Sequence, residues 1–365
     1  MKNIYVTQPF LPPLTEYVDF LEKIWSSQVL TNNGEFHKKL EGELEKYFGV
    51  SCVSLTNNGT SALVLALEAL NLTGSVITTP FTFIATSNSL VWRNLRPIFV
   101  DITSDDFNID TNKIQDAIEE DTSAILAVHC YGNPCDVDGI FEIASDNGLK
   151  VIYDAAHAFG VKVNGKSLLS YGDLSTLSFH ATKVFNTFEG GCVISHSETL
   201  RKKINNLKNF GIINETEVVE IGLNAKLAEP NAAFGLLQFS YLENIFERRK
   251  MVHDYYSDRL LHTEWIKLPH IKKHVYHNYS YYPVRVINEN GKNRDFLYEK
   301  LRDNGIIARK YFYPLVTDHE IYKKYAQPDK LEVSRKVADE ILCLPIHTNL
   351  SIYDLNRVIS VIKNA

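Results

Sequence analysis

Short apolar runs alternate with amphipathic stretches through about residue 240. Five of these runs predict buried strands, at 74–80, 96–101, 124–129, 150–154 and 174–179. Between them, the patterns at 60–70 and 111–120 predict helices. This alternation is typical of an α/β fold with a largely parallel sheet. Ligands in such folds bind beyond the carboxyl ends of the strands, so residues that directly follow a strand are the first functional candidates.

The pattern changes near residue 236. Segment 236–261 predicts one long helix rich in charged and aromatic residues, which could connect two domains. Further on, 279–286 and 306–313 predict strands, whereas 293–304 and 351–363 predict helices. We therefore expect a large domain of residues 1–244, with the mostly parallel sheet, and a smaller C-terminal α/β domain of residues 245–365.

Composition narrows the class of protein. Hydrophobic residues make up 45% and charged residues 22% of the chain, which is ordinary for a soluble globular protein. The net charge of -6 disfavours nucleic acid or an anionic membrane as the main partner. The sequence has neither a signal-peptide core nor an apolar run of the roughly 20 residues that a membrane-spanning helix needs, so we expect a cytoplasmic protein.

The five cysteines are scattered and form no CxxC pair. A structural zinc site is therefore not predicted, and neither is any other metal site. Buried free thiols are the simplest interpretation, and they favour a reducing compartment.

Two polar residues follow predicted strands. Asp154 ends one strand, where it could bind a metal, cap the next helix, or pair with a cationic cofactor atom. Lys183 follows another strand by a few residues. In a cleft of low dielectric, burial would lower its pKa, and its free amine could form a Schiff base with an aldehyde. A solvated loop lysine is the alternative.

The segment Asn57-Asn58-Gly59-Thr60-Ser61 opens the helix predicted at 60–70. A glycine followed by hydroxyl residues at a helix start suits a phosphate, because unpaired N–H groups and the helix dipole favour an anion. Ordinary capping by Thr60 and Ser61 is the alternative. Taken together, a phosphate cradle, a carboxylate and a lysine are the three things that an enzyme dependent on pyridoxal 5'-phosphate (PLP) requires.

These segments resemble the sugar aminotransferases of the DegT/DnrJ/EryC1/StrS family, within the fold type I PLP enzymes. The resemblance covers nearly the whole chain in order. The segments that carry it are 30–34 (LTNNG), 57–63 (NNGTSAL), 79–86 (TPFTFIAT), 154–160 (DAAHAFG), 178–183 (SFHATK), 189–191 (EGG), 222–226 (GLNAK) and 344–347 (LPIH).

The resemblance assigns roles to the catalytic and cofactor-binding positions. It implies that Lys183 forms the Schiff base and moves the proton, and that Asp154 pairs with the pyridine nitrogen. It implies that Phe83 stacks on the cofactor ring, with core packing as the alternative role and Phe81 as the rival candidate. The phosphate cradle matches three residues, with Ser61 as a possible further donor, and these are Gly59, Thr60 and Ser178.

Three further positions bear on the cofactor and the assembly. His157 stands where many relatives have glutamine, near the 3-hydroxyl of the cofactor, to which histidine can still donate a hydrogen bond. Asn224 matches an asparagine that reaches the phosphate of the neighbouring subunit, which implies a homodimer with shared active sites. A turn residue in a loop is the alternative for Asn224. Lys226 stands where arginine is frequent, so any bidentate contact there is lost.

The implied reaction is PLP-dependent transamination of a nucleotide-linked keto-6-deoxy sugar with glutamate as the amino donor. We expect dTDP-4-keto-6-deoxyglucose to be aminated at C4, and the product to feed a surface polysaccharide such as an O-antigen. Candidate substrate contacts are Arg309 and Tyr311, with Lys310 and Tyr313 beside them, and a solvated strand edge is the alternative for this stretch. The alternatives are a 3-keto sugar aminotransferase, a PLP-dependent dehydratase and a non-catalytic regulator. Relatives that act as dehydratases carry histidine in place of Lys183, so lysine favours transamination.

Overall fold

The computed structural model describes residues 2–288 and 291–365. Within that part of the chain, α-helices form at segments whose apolar residues face a core. They are α1 Leu14–Ser27, α2 Glu35–Phe48, α3 Gly59–Ala69, α4 Ile84–Trp92, α5 Val137–Asn147, α6 Glu198–Leu207, α7 Glu229–Phe239, α8 Leu242–Leu260, α9 Arg294–Asp303, α10 Glu332–Glu340 and α11 Ile352–Lys363.

The strands of the same residues range from long buried strands to two-residue pairings. They are β1 Ile4–Tyr5, β2 Cys52–Thr56, β3 Ser75–Thr78, β4 Arg96–Phe99, β5 Thr122–Val128, β6 Lys150–Asp154, β7 Lys162–Val163, β8 Lys166–Ser167, β9 Leu174–Ser178, β10 Gly191–Ser195, β11 Ile212–Asn214, β12 Glu217–Val218, β13 Ile266–Lys267, β14 Val275–Tyr276, β15 Tyr282–Val286, β16 Ile306–Ile307 and β17 Ile341–Leu344.

A seven-stranded sheet in the order β2-β10-β9-β6-β5-β3-β4 forms the centre of the molecule. All neighbouring strands from β9 to β4 run parallel, whereas β10 runs antiparallel to β2 and to β9. The α/β prediction and the five predicted strands are confirmed. Strands β2 and β10 were not predicted, although all their positions are buried.

Three element predictions were wrong in part. Segment 111–120 forms two short 3-10 turns, because the side chain of Asp110 accepts from the amide of Asn112 and such a local bond favours a turn over a longer helix. The single helix expected at 236–261 is the pair α7 and α8, which break at Ser240 and Tyr241. Segment 306–313 is extended only at β16 and at the bridge of Arg309 with Cys343, since the chain then turns into the cleft described below.

Helix α8 packs against two large hydrophobic clusters, one along its first turns and one along its later turns. Its first turns pack against the core of the central sheet through Leu242, Ile245 and Phe246. Its later turns belong to a second core, around the antiparallel sheet β13-β15-β17, through residues such as Val252 and Tyr256. The exact division at residue 244 stays a prediction. All five cysteines are buried and free, as expected.

A buried carboxylate joins the two parts of the molecule. Asp101 follows β4, and its side chain accepts hydrogen bonds from the backbone amides of Val333 (3.0 Å) and Ser334 (2.7 Å) at the start of α10. Helix α10 begins without a capping side chain of its own. Asp101 therefore satisfies amides that the first turn of a helix leaves unpaired.

Candidate active site

A cleft of about 930 Å³ opens at the carboxyl ends of β5, β6 and β9. This is the edge of a parallel sheet at which α/β proteins bind ligands. The cleft collects most of the residues that the sequence predicted for the site. Those that line it are Gly59, Thr60, Ser61, Phe83, Asp154, His157, Ser178, Lys183 and Tyr311.

The start of α3 forms one end of the cleft. The side chain of Asn58 caps the helix by accepting from the amide of Ser61 at 2.8 Å, so that amide is already paired. The amides of Gly59 and Thr60 precede it in the unpaired first turn, where a helix favours an anion. A Cβ at position 59 would lie 2.8 Å from the Cβ of Ser178. Glycine is therefore needed for the helix start to approach Ser178 this closely.

The carboxylate of Asp154 is fixed by two hydrogen bonds. Thr86 donates its hydroxyl to Oδ2 at 2.7 Å, and the amide of Ala156 donates to Oδ1 at 3.1 Å. The hydroxyl of Thr82 lies 2.9 Å from that of Thr86, which can accept from it while donating to the carboxylate. Burial raises the pKa of Asp154, and these bonds together with nearby Lys183 oppose that rise. A cationic partner would hold the carboxyl ionised.

Lys183 brings an amine to the same cleft. Its backbone amide donates to the carbonyl of His180 at 2.8 Å, which closes a tight turn after β9. Burial lowers the pKa of Lys183 to about 8, although the charge of Asp154 favours the protonated form. The amine is therefore far more available as a nucleophile or base near neutral pH than that of an exposed lysine.

His157 is neutral and its tautomer is defined. Burial keeps its pKa well below the usual value. Its Nδ1 accepts a hydrogen bond from the amide of Tyr131 at 3.1 Å, so the proton of the neutral ring resides on Nε2. The ring lies parallel to that of Phe312 at 6.0 Å and meets that of Tyr281 edge to face at 4.8 Å. This packing leaves the ring little freedom to rotate.

Aromatic side chains form the walls of the cleft. Phe83, just before α4, lines it and is 59% exposed, whereas Phe81 is fully buried in a cluster with Tyr131 and Phe312. Phe81 is therefore a core residue, and only Phe83 is placed to stack on a ligand. Tyr281 was missed by the sequence analysis, because a tyrosine beside a strand carries no signal of its own until the fold brings it to the cleft.

Other candidates lie outside the cleft. The side chain of Arg309 is exposed and does not line it, and that of Lys310 pairs with Asp295 at 2.6 Å. Asn224 is exposed on the surface beside Leu223, which does line the cleft. His347, in the segment 344–347 that resembles the family, is buried outside the cleft, and burial lowers its pKa to about 4.

The residues present fit pyridoxal 5'-phosphate. That cofactor needs an anion cradle, a carboxylate for its ring nitrogen and a lysine for its aldehyde. The close approach of Gly59 to Ser178 leaves room for an anion at the start of α3, and buried Asp154 and the amine of Lys183 lie in the same cleft. A mostly parallel sheet with these groups at its carboxyl edge defines the class of fold type I PLP enzymes.

Comparison with known proteins gives the family. The sequence profile described as the DegT/DnrJ/EryC1/StrS aminotransferase family matches residues 15–363. Two curated proteins named dTDP-4-amino-4,6-dideoxy-D-glucose transaminase are each 46% identical to the chain. The one from Shigella dysenteriae aligns over 99% of both chains, and the one from Escherichia coli aligns over 96% of this chain and 95% of its own.

Solved structures agree with this result. The crystal structure of DesI in the presence of its TDP-sugar product has a TM-score of 0.95 and 33% identity, and the match covers 100% of this chain and 93% of that one. The chain belongs to the DegT/DnrJ/EryC1/StrS aminotransferase family, and its cofactor is pyridoxal 5'-phosphate. Among residues 2–288 and 291–365, every helix is too short or too polar to cross a membrane.

Proposed function

We propose that this enzyme transfers the amino group of glutamate to C4 of dTDP-4-keto-6-deoxyglucose, which gives dTDP-4-amino-4,6-dideoxyglucose and 2-oxoglutarate. The likeness to the Shigella transaminase of that name, which extends over nearly the full length of both chains, carries the proposal. The cleft adds support, because its lysine and aspartate meet the needs of amino-group transfer rather than of binding alone.

Lys183 and Asp154 are the proposed catalytic residues. Bound PLP supplies an aldehyde that takes up the amino group and a ring that draws off electrons. The amine of Lys183 would bind that aldehyde, and when free it would accept and return the proton that the transfer moves. A pKa of about 8 allows the amine both to accept and to release that proton near neutral pH. Asp154 keeps the ring nitrogen protonated.

The remaining cleft residues bind and orient the cofactor in this proposal. Gly59, Thr60 and Ser178 hold the phosphate, with the hydroxyl of Ser61 as an additional donor. His157 donates its Nε2 proton to the 3-oxygen of the ring. Because its Nδ1 is already paired with the amide of Tyr131, the donating tautomer is fixed. Phe83 covers one face of the ring.

In this proposal the sugar binds on the side of the cleft where tyrosines pack against the cluster of Phe81, Tyr131 and Phe312. Tyr311 is the proposed contact there, and we add Tyr281, which also lines the cleft. Burial raises the pKa of Tyr281, so its hydroxyl stays neutral and can donate to a sugar oxygen. Arg309 is exposed outside the cleft, so it would contact only the part of the nucleotide that extends past the opening.

We further propose a homodimer in which Asn224 reaches the cofactor phosphate of the partner subunit. Exposed apolar side chains support this, among them Trp92, which lines the cleft and is 72% exposed, and Ile221, which is 94% exposed. We also propose a cytoplasmic location, because free thiols persist in reducing compartments. Fractionation of cells by transaminase activity tests the location, and activity in an extracellular fraction would contradict it.

The reaction is tested by incubating the enzyme with PLP, glutamate and dTDP-4-keto-6-deoxyglucose, and reading the product by NMR. Nitrogen at C4 is expected. Nitrogen at C3 would favour the alternative of 3-keto sugar amination, and loss of the keto sugar without gain of nitrogen would favour a dehydratase. Lys183→Ala should abolish turnover, whereas Lys39→Ala, at an exposed lysine of α2, should not. Full activity of Lys183→Ala would refute the mechanism.

A further inference from the structure

The ammonium group of Lys226 makes an unusual set of contacts beside Asn224. Its Nζ lies 3.0 Å from Oδ1 of Asn224 and 2.7 Å from Oδ1 of Asn209. It also lies over the ring of Phe210, 5.0 Å from the centroid. Burial lowers the pKa of Lys226. Two amide oxygens and an aromatic face therefore hold one half-buried cation, with no acidic side chain paired to it among the residues that the structure describes.

These contacts decide which way the amide of Asn224 faces. An ammonium group has three donors and no acceptor, whereas an asparagine amide donates from its nitrogen and accepts at its oxygen. The oxygen must therefore face Lys226 and the NH₂ group must face away, and the opposite orientation would place donor against donor. Within residues 2–288 and 291–365, Nδ2 of Asn224 donates to no other group, and the side chain is exposed.

The backbone around Asn224 is firmly held. Asn224 forms an isolated bridge with Asn209, and the amide of Ala225 donates to the carbonyl of Lys208 at 3.0 Å. The carbonyl of Ala225 accepts from the amide of Asn57 at 2.8 Å, two residues before the helix-start cradle at Gly59. These hydrogen bonds fix the backbone at Asn224, so the orientation of its side-chain amide is what can still vary.

We infer that Lys226 is a positioning residue that holds the NH₂ group of Asn224 outward, as a hydrogen-bond donor to the cofactor phosphate bound in the partner subunit. This rests on the shared active site of the proposed function. Phosphate oxygens mainly accept hydrogen bonds at neutral pH. An amide turned the other way would therefore place Oδ1 of Asn224 against a phosphate oxygen, with no proton between the two acceptors. The orientation therefore decides whether Asn224 attracts or repels the phosphate.

The inference is tested by the affinity of the apoenzyme for PLP, measured by titration of the absorbance of the bound cofactor. Lys226→Met should weaken binding on the order of tenfold, as Asn224→Ala should, because each removes the donated hydrogen bond. Lys226→Arg, which keeps a donor-only cation, should stay within about twofold. The double variant should bind no more weakly than Asn224→Ala alone, because Lys226 acts through Asn224.

A matched control exists elsewhere in the chain. Lys203 holds the amide oxygen of Asn71 at 2.6 Å, and neither residue lines the cleft. Lys203→Met should leave the affinity for PLP unchanged. Sedimentation should show that Lys226→Met forms the same oligomer as the wild type, so that weaker binding does not reflect lost assembly.

Three results would overturn the inference. Wild-type affinity in Lys226→Met, with weak binding in Asn224→Ala, would show that Asn224 needs no positioning. Additive losses in the double variant that shrink at high salt would show that Lys226 acts through its own charge. Wild-type affinity in Asn224→Ala would remove the proposed contact with the partner's phosphate itself, and the inference with it.

Discussion

At the scale of single residues, the amine of Lys183 illustrates how a catalytic group costs stability. Burial disfavours its charged form, so its pKa falls from the ordinary 10.5 to about 8 in the folded protein. The unfolded chain then binds more protons than the folded one between these two values. Stability of the apoenzyme should therefore rise as the pH increases through that window, and the full cost is present below it.

The rise of stability with pH gives a measurable prediction. Lys183→Met in the apoenzyme should raise the free energy of unfolding near pH 7 by on the order of 1–3 kcal/mol, and the gain should shrink near pH 10. Urea unfolding at both pH values measures it. Lys39→Met, at an exposed position, is the control and should show no such dependence. An equal gain at both pH values would mean that packing of the methionine, rather than the lysine charge, causes it.

Thr86 acts on the chemistry through Asp154. Its hydroxyl lowers the pKa of that carboxyl by donating to it at 2.7 Å. Thr86→Val keeps the shape and removes the donor, so Asp154 should protonate at a higher pH. The acid limb of the pH profile of kcat/KM should move upward by about 0.5–1 pH unit.

The control for Thr86→Val is Thr86→Ser, which retains a hydroxyl. Its acid limb in the pH profile of kcat/KM should stay near the wild-type position. An acid limb that does not move in Thr86→Val would show that the hydrogen bond does not tune Asp154. A fall in kcat/KM by the same factor at every pH would instead indicate misplacement of the cofactor.

Single residues also show what sequence could and could not reveal. Gly59, Asp154 and Lys183 were predictable because each opens a helix, ends a strand or follows one by a few residues, and parallel strands bring such positions to one edge. The roles of Thr86 and Tyr281 depend on contacts across the fold, Thr86 with Asp154 and Tyr281 with His157. No local spacing encodes such contacts.

At the scale of elements, α10 depends on a residue distant in sequence. Asp101→Ala should lower the free energy of unfolding by about 2–4 kcal/mol, because it leaves buried amides of Val333 and Ser334 without acceptors. Burial opposes ionisation of Asp101, but its hydrogen bonds outweigh that effect and lower its pKa. The stabilisation by Asp101 is therefore complete above pH 3.8, the pKa of an ordinary aspartate. It is lost as the pH falls through the lower pKa that Asp101 has in the folded protein.

Urea unfolding at neutral pH, compared with unfolding near pH 3, measures this contribution. Asp105→Ala, at an exposed aspartate of the same loop, should change stability by less than about 0.5 kcal/mol. Equal effects of the two substitutions would contradict a capping role for Asp101.

Some strands and helix ends follow from the local sequence, whereas others depend on tertiary contacts. Strands β3 to β6 were predictable because each contains consecutive apolar residues, as expected for strands covered on both faces, and β9 was predicted although serine and threonine interrupt its leucines. The break between α7 and α8 was not, since the sequence there carries neither proline nor glycine. Instead, Tyr241 leaves the helix and donates its hydroxyl to Glu16 of α1 at 2.6 Å. A tertiary contact overrides a continuous helical pattern at this point.

At the scale of the whole molecule, the proposed shared site predicts complementation between two damaged variants, at a PLP concentration too low to load Asn224→Ala. Lys183→Ala and Asn224→Ala each damage the sites of their own homodimer. In a mixed dimer, the site that keeps Lys183 also receives an intact Asn224 from its partner. Mixing the two variants in equal amounts should restore activity to about one quarter of the wild-type value, because half of the dimers are mixed and each has one intact site.

Activity after exchange of the subunits measures this recovery. Each variant alone is the reference, and the control is a mixture that is assayed before its subunits have had time to exchange. Activity no higher than the mean of the two variants would show that Asn224 serves its own subunit. The mixture would then provide no support for a shared site.

The pairing of β1 with β16 constrains how the molecule is made. Ile4 lies beside Ile306, and Arg357 donates to the carbonyl of Lys2 at 3.2 Å. A ribosome that adds about 5–20 residues per second therefore releases the first strand roughly 15–60 seconds before its partner exists. Over that interval Ile4 and Val6, both buried in the finished protein, remain uncovered on the nascent chain. A segment translated early is thus among the last to reach its native place.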